Sequence, residues 1–354
     1  MNKIINILKK QKAIPIDQFI NVALYNKKFG YYMKKNPFGK HGDYITAPLV
    51  SNLFGEIITL WCVAFWEYLK KPKKIYVVEL GPGDASLCDK MLKTSKIFEN
   101  FYNSVEFRLL EKSKVLRKLQ KNKIRNKKVK WVSTIQELKE GPIIFLGNEF
   151  FDSLPIKQLY KKKDQFYEKY VTFLKKDKKI NFLFKKAKKN LIKNIKKWNL
   201  DTEKGIIEYP DKAIKYLDII TKKINKYDGC LLAFDYGYNQ NKNQNTLQSI
   251  NKHEHVNIFY DIGSSDITSH VNFKLFTKVL NKRLKVEKII SQSKFLQRMG
   301  IIERANILSK EMSFKSKADM YYRLRRLLHN DEMGNLFKVL FAKNKKTKFS
   351  LGFD

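Results

Sequence analysis

Two periodicities divide the chain. Ile16 to Tyr25 spaces its apolar residues at helical intervals, and Phe54 to Leu69 is apolar on nearly every side, which predicts a buried helix. Between them, Phe29 to Pro48 (FGYYMKKNPFGKHGDYITAP) is too rich in Gly and Pro for either regular element. From Lys74 the pattern changes to short apolar runs: IYVVEL (75–80), EFRLLE (106–111), PIIFLG (142–147) and CLLAFDYG (230–237). Apolar strands alternating with helical stretches predict a mostly parallel sheet covered on both faces, a Rossmann-like α/β core. Leu159 to Phe184 alternates polar and apolar positions, which predicts an inserted antiparallel hairpin, and an amphipathic helix follows to about Trp198. The polar run NQNKNQNT after Gly237 reads as a surface loop, and Asn272 to Asp354 as helices with a closing strand near Leu340. The expected organisation is an N-terminal helical segment (1–70) and an α/β domain (71–354). That domain carries an insertion at about 157–225 and a helical C-terminal part.

Composition narrows the function only a little. The 354 residues include 72 Lys and Arg against 34 Asp and Glu, a formal net charge of +38. Such a field favours polyanions. Lys, however, fills nearly every solvent position, and no basic stripe carries interleaved stacking aromatics, so a nucleic-acid partner is not expected. Three widely spaced cysteines, Cys62, Cys88 and Cys230, suit a reducing compartment and form neither a zinc ribbon nor a disulfide framework. Ile57 to Leu69 is too short to span a bilayer, and no signal peptide is evident, so a cytoplasmic protein without a transmembrane segment is expected.

The chemistry gathers at strand ends. In VVELGPGDAS an apolar strand ends at Glu79, and Gly81 and Gly83 turn into a helix whose free N–H groups face any ligand there. A dinucleotide site would place a third glycine where Ser86 stands. The Glu-x-Gly-x-Gly form instead suits S-adenosylmethionine, whose ribose and amino-acid end need hydrogen bonds rather than pyrophosphate binding. Glu111, at the end of the second strand, is placed to accept from ribose hydroxyls. The third strand runs into NEFFDSLP, where Asn148 borders the cofactor side and Glu149 and Asp152 flank two aromatics. A planar guanidinium could pair with Glu149 or Asp152 and rest against Phe150. Glu149 is the first candidate for catalysis and Asp152 the second. His253 and His255 lack partners for a metal site, so no metal is expected, and His270 reads as structural.

These segments together resemble the MidA proteins, a family that includes the mitochondrial complex I assembly-factor methyltransferases and their bacterial relatives. The resemblance rests on Gly30-Tyr31-Tyr32, Pro37-Phe38-Gly39, Gly42-Asp43-Tyr44-Ile45-Thr46-Ala47-Pro48, the Glu79 glycine turn, Asn148 to Pro155, Asp235-Tyr236-Gly237 and Asp266-Ile267-Thr268. It continues through His270-Val271, Gly300-Ile301 and Met333-Gly334, so it covers nearly the whole chain in order. Leu49, Ala85 and Asn257 depart from the pattern. The resemblance implies an S-adenosylmethionine-dependent protein arginine methyltransferase. In mitochondrial members it implies symmetric dimethylation of a core subunit of respiratory complex I, in the matrix. Gly42, Asp43, Thr46 and Pro48 would then form a loop over the site, touching cofactor or acceptor. Two alternatives remain: a catalytically silent assembly chaperone of the same fold, and a nucleic-acid methyltransferase.

Overall fold

The computed structural model describes residues 2–34, 37, 46–201, 205–240 and 245–354. Helix α1 (Asn2–Gln11), strand β1 (Ala13–Pro15) and helix α2 (Ile16–Tyr25) open the chain, followed by the short helices α3 (Tyr31–Lys34) and α4 (Ala47–Val50). The stretch expected to hold no regular element therefore carries two single turns, and α4 accommodates Pro48 in its first turn, where no N–H is needed. Helix α5 (Asn52–Tyr68) is the predicted buried helix; the Ser51 hydroxyl accepts from Leu53 N and caps it.

The core follows as β2 (Ile75–Leu80), α6 (Ser86–Ser95), α7 (Glu99–Ser104), β3 (Val105–Leu110), α8 (Lys114–Lys123), β4 (Val129–Val132) and β5 (Ile143–Asn148). After an insertion come α10 (Asp211–Tyr227) and β10 (Gly229–Tyr238). The four predicted runs coincide with β2, β3, β5 and β10, with Glu111 one residue past the end of β3. Strand β4 was not anticipated: its VKWV is partly exposed at the sheet edge and lies beside the lysine-rich run. Beyond β10 the chain forms β11 (Gln248–Asn251), β12 (Glu254–Val256), β13 (Asp266–Thr268), β14 (Val271–Asn272) and α11 (Phe273–Leu280). It ends with β15 (Lys285–Val286), β16 (Ile290–Ser291), α12 (Gln292–Arg298), α13 (Ile301–Ser309), α14 (Phe314–Leu328), α15 (Met333–Leu336) and the closing strand β17 (Phe337–Lys343).

The central sheet runs β4-β3-β2-β5-β10-β17-β15, parallel from β4 to β10 and antiparallel at β17. Side-chain alternation divides its faces: Ile75 and Val77 pack with α5 and α6 residues, whereas Tyr76, Val78 and Leu80 pack with α10 and α11 residues. The chain leaves β2 first toward β3 and later toward β5, so a crevice opens at the carboxyl ends of β2 and β5.

The insertion is larger than a hairpin. Strands β6 (Lys157–Lys162), β7 (Gln165–Leu174) and β8 (Lys179–Lys186), helix α9 (Lys189–Lys197) and strand β9 (Ile206–Tyr209) build a five-stranded antiparallel sheet. β1 completes it, through pairs such as Ile14 with Val171. The N-terminal segment is thus shared: α1, β1 and α2 pack with the insertion, while α5 lines the central sheet. The small sheet β12-β11-β13 stands beside it. Of the expected surface loop after Gly237, residues 241–244 lie outside the described residues. Its last residue, Thr246, is buried and donates to Glu208 at 2.6 Å. No helix among the described residues is long and apolar enough to cross a membrane.

Candidate functional site

The crevice deepens into a cavity of about 610 Å³ that receives side chains from three parts of the fold. The floor is the β2 turn. Gly81, Gly83 and Ala85 all adopt left-handed φ, at 62°, 55° and 61°, before α6 begins. A Cβ on Gly81 would stand 2.9 Å from Phe150 Cδ2, so a side chain there would collide as well as strain. Gln120 of α8 ties the turn together. It donates to Gly83 O at 2.8 Å and to Glu111 at 3.3 Å, and accepts from Trp131 Nε1 at 2.8 Å.

The sequence-predicted residues Glu79, Gly81, Gly83, Glu111, Asn148, Glu149, Phe150 and Asp152 all line this cavity, as do Thr46 and Pro48. Gly42 and Asp43 lie outside the described residues. Glu79 is 6% exposed; burial, then the Asp84 charge, pushes its carboxyl up to about 8. Glu79 Oε2 and Asn148 Oδ1 are buried without hydrogen-bond partners among the described residues. Glu111 accepts from Ser113 N at 2.7 Å, and burial raises its pKa. Phe150 sits over the glycine turn, edge-on to Phe151 and Tyr216, and so lies on the β2 side of the cavity.

Glu149 turns the chain at the end of β5 with φ 52°, an uncommon value for a side-chain-bearing residue, while its N–H donates to Phe234 O at 2.9 Å. Its carboxyl receives Asn148 Nδ2 at 3.2 Å and the backbone N–H of Ala47, which brings the N-terminal segment onto the site. Burial, then the Asp152 charge, raises Glu149 to about 8; burial raises Asp152 to about 6. Asp235 holds this turn from β10, accepting Phe151 N at 2.9 Å and Asp152 N at 3.3 Å.

The far wall comes from elements distant in sequence. Tyr25 donates to Ser153 O at 3.0 Å, Tyr32 donates to Asp266 Oδ2 at 3.1 Å, and Tyr236 bonds Asp152 and Thr268. His270 also lines the cavity, its ring against Tyr236, with its pKa lowered by burial. Gln120, Tyr32, Asp235, Tyr236 and Asp266 had no local signal. For the last four only the family resemblance marks a site, and Gln120 reads as one more polar residue on a charged helix.

S-adenosylmethionine tests well against these groups. Its ammonium, ribose hydroxyls and adenine amine are donors, and the turn offers buried acceptors in Glu79, Asn148 Oδ1 and Glu111 around glycines that leave room for it. A switched parallel sheet closed by an antiparallel strand, with acidic strand ends around a glycine turn, defines a Rossmann-like methyltransferase. The chain belongs to a family of S-adenosyl-L-methionine-dependent methyltransferases, whose sequence profile matches residues 57–290. It is an enzyme of that class, with S-adenosylmethionine as cofactor. It is similar to the mitochondrial protein arginine methyltransferase NDUFAF7 of Xenopus laevis, 28% identical across 96% of this chain and 83% of that protein. The human NDUFAF7 is 24% identical across 93% of this chain and 80% of its own length. The fold is also that of a Burkholderia thailandensis protein crystallised with S-adenosyl-homocysteine. The TM-score is 0.80 at 21% identity, covering 99% of this chain and 90% of that one.

Proposed function

We propose that the enzyme methylates an arginine side chain of a protein. The observation that carries this reading is the acceptor half of the cavity. In a chain of net charge +38, that half is walled by the half-buried carboxyl of Glu149, the buried carboxylates Asp152 and Asp266, and tyrosine hydroxyls. Such a wall selects a cation with several donors. The relatives named as arginine methyltransferases support the same acceptor.

In this reading Glu79, Glu111, Asn148 and the turn at Gly81 and Gly83 hold S-adenosylmethionine, which supplies a sulfonium-bound methyl group. A guanidinium has a pKa near ~13, and its lone pairs are delocalised, so orientation and charge placement carry the catalysis. Glu149, closest in sequence to the cofactor residue Asn148, draws positive charge away from the reacting nitrogen and takes the proton released as the nitrogen is alkylated. Asp152 fixes a non-reacting nitrogen. Thr46 and Pro48 close the cavity. Resemblance to the complex I assembly factors supports symmetric dimethylation of a core complex I subunit. The matching compartment is the cytoplasm of a bacterium or the mitochondrial matrix.

Isothermal titration with S-adenosylmethionine tests the cofactor half, beside a Gly81→Val, Glu111→Ala double variant and an NADH control. We expect micromolar binding that the variant abolishes. Mass spectrometry of complex I subunits, with and without the enzyme, then tests the acceptor; an unchanged arginine methylation pattern overturns that assignment.

A further inference from the structure

Glu149 and Asp152 stand three residues apart on one turn at the end of β5, so both belong to a single element. A guanidinium carries five N–H donors in a plane, and a buried donor left without an acceptor is costly. An arginine site of this depth therefore needs an acidic group on a second element.

We propose that Asp266, at the start of β13, is that second carboxylate, an acceptor-binding residue that pairs with the guanidinium nitrogens opposite Glu149; the inference rests on the arginine reading above. Asp266 is 1% exposed and lines the same cavity. Its Oδ2 accepts from the Tyr32 hydroxyl at 3.1 Å, which sets the carboxylate plane. Its backbone is fixed by pairing with Ile250 and by the Ser249 hydroxyl, which donates to Asp266 O at 2.7 Å. Asp152 faces the same space: the charges of both Asp152 and Asp266 act on the Tyr25 and Tyr32 hydroxyls, after burial. Asp152 lines the cavity, and its Oδ1 is buried with no hydrogen-bond partner among the described residues. The backbone joins the two walls, since Ser269 N donates to Asp152 O at 3.1 Å. Asp235 is the other buried acid nearby, but it does not line the cavity and it holds the backbone of the turn through Phe151 N, Asp152 N and Tyr236 N, which makes it a positioning residue.

Carboxylates on two elements match a flat, forked cation better than the compact ammonium of lysine. The small sheet β12-β11-β13 thereby becomes the element that distinguishes arginine from other acceptors.

The test is a ligand-observed NMR titration of the full chain saturated with S-adenosyl-homocysteine. The probes are Nα-acetyl-arginine amide and its neutral isostere Nα-acetyl-citrulline amide. The wild type should prefer the arginine probe. Asp266→Asn should weaken arginine binding about tenfold or more, with citrulline and S-adenosyl-homocysteine affinities unchanged. Tyr32→Phe should weaken it about two- to fivefold, as expected for a lost orienting bond. Unchanged arginine affinity in Asp266→Asn overturns the inference and leaves the arginine reading intact. An equal loss of arginine and S-adenosyl-homocysteine binding shows a structural role and overturns it too. Should Asp266→Asn fail to fold, Tyr32→Phe decides, and unchanged arginine affinity there overturns the inference. A wild type that treats both probes alike overturns the arginine reading itself.

Discussion

Glu149 combines backbone strain with an unfavourable charge. A left-handed φ at a side-chain-bearing residue costs on the order of 1–2 kcal/mol, and burial beside Asp152 holds its proton on up to about pH 8. At neutral pH the ligand-free site is therefore largely protonated at Glu149. A bound guanidinium favours the ionised form, so binding must expel that proton. Arginine-probe affinity should rise as pH rises toward about 8 and level off above it, with a weaker step near 6 from Asp152. Heats of binding measured in two buffers of different ionisation enthalpy would show the released proton; buffer-independent heats at pH 7 would contradict it. The same shift bears on stability. A carboxyl whose folded pKa lies above its unfolded value contributes stability that is present below about pH 4.3 and is lost as pH rises through about 8. The ligand-free protein should accordingly melt at a lower temperature at pH 8 than at pH 5, and Glu149→Gln should flatten that slope. In turnover, Glu149→Gln should slow methyl transfer by about 10²–10³ while S-adenosylmethionine affinity stays within about threefold.

At the scale of elements, the glycine turn depends on α8 as much as on its own residues. Gln120 joins Gly83 O, Glu111 and Trp131 Nε1, so Gln120→Leu leaves three polar groups short of a partner in a buried place. We expect a loss of about 1–3 kcal/mol in unfolding free energy and weaker S-adenosylmethionine binding by about tenfold, read by chemical denaturation and titration. Unchanged cofactor affinity would show that the turn holds its shape alone. Ala85 stands where the resembling family has glycine, and its φ of 61° shows why glycine suits that position: the turn into α6 carries strain that glycine would relieve. What could be read from the sequence follows the range of the interactions. β2, β5 and most of β10 are buried on both faces and β3 on one face and at its end, so each reads as a largely apolar run, and the residues at and just past their ends follow directly. Glu79, Gly81, Gly83, Glu111 and Glu149 were legible for that reason. β1 and β13 are three residues long and exist through pairing with partners far along the chain, which no window of sequence contains. Tyr32 and Asp266 meet across 234 positions, so half of the acceptor wall has no local signature.

At the scale of the whole molecule, charge is distributed in opposition: 72 basic residues against 34 acidic ones overall, yet carboxylates around the cavity. The exterior field repels a cationic acceptor during approach, and the interior attracts it after entry. Lys112 and Lys212 stand at this boundary. Lys212 lies over the Tyr25 ring, its pKa pushed down to about 8 by burial and by Lys112. An arginine carried in an acidic segment escapes the repulsion, because its neighbours meet the basic surface while the guanidinium meets the acids. Peptides with Asp or Glu flanking a single arginine should therefore show a kcat/KM above that of Gly-flanked peptides, and the advantage should reside in association. It should shrink between 50 and 300 mM salt, as the Debye length falls below about 10 Å, with kcat little changed. A flank preference that persists at high salt would instead require direct side-chain contacts near the cavity mouth. No preference at any salt would mean that the lysine-rich exterior plays no part in choosing the acceptor.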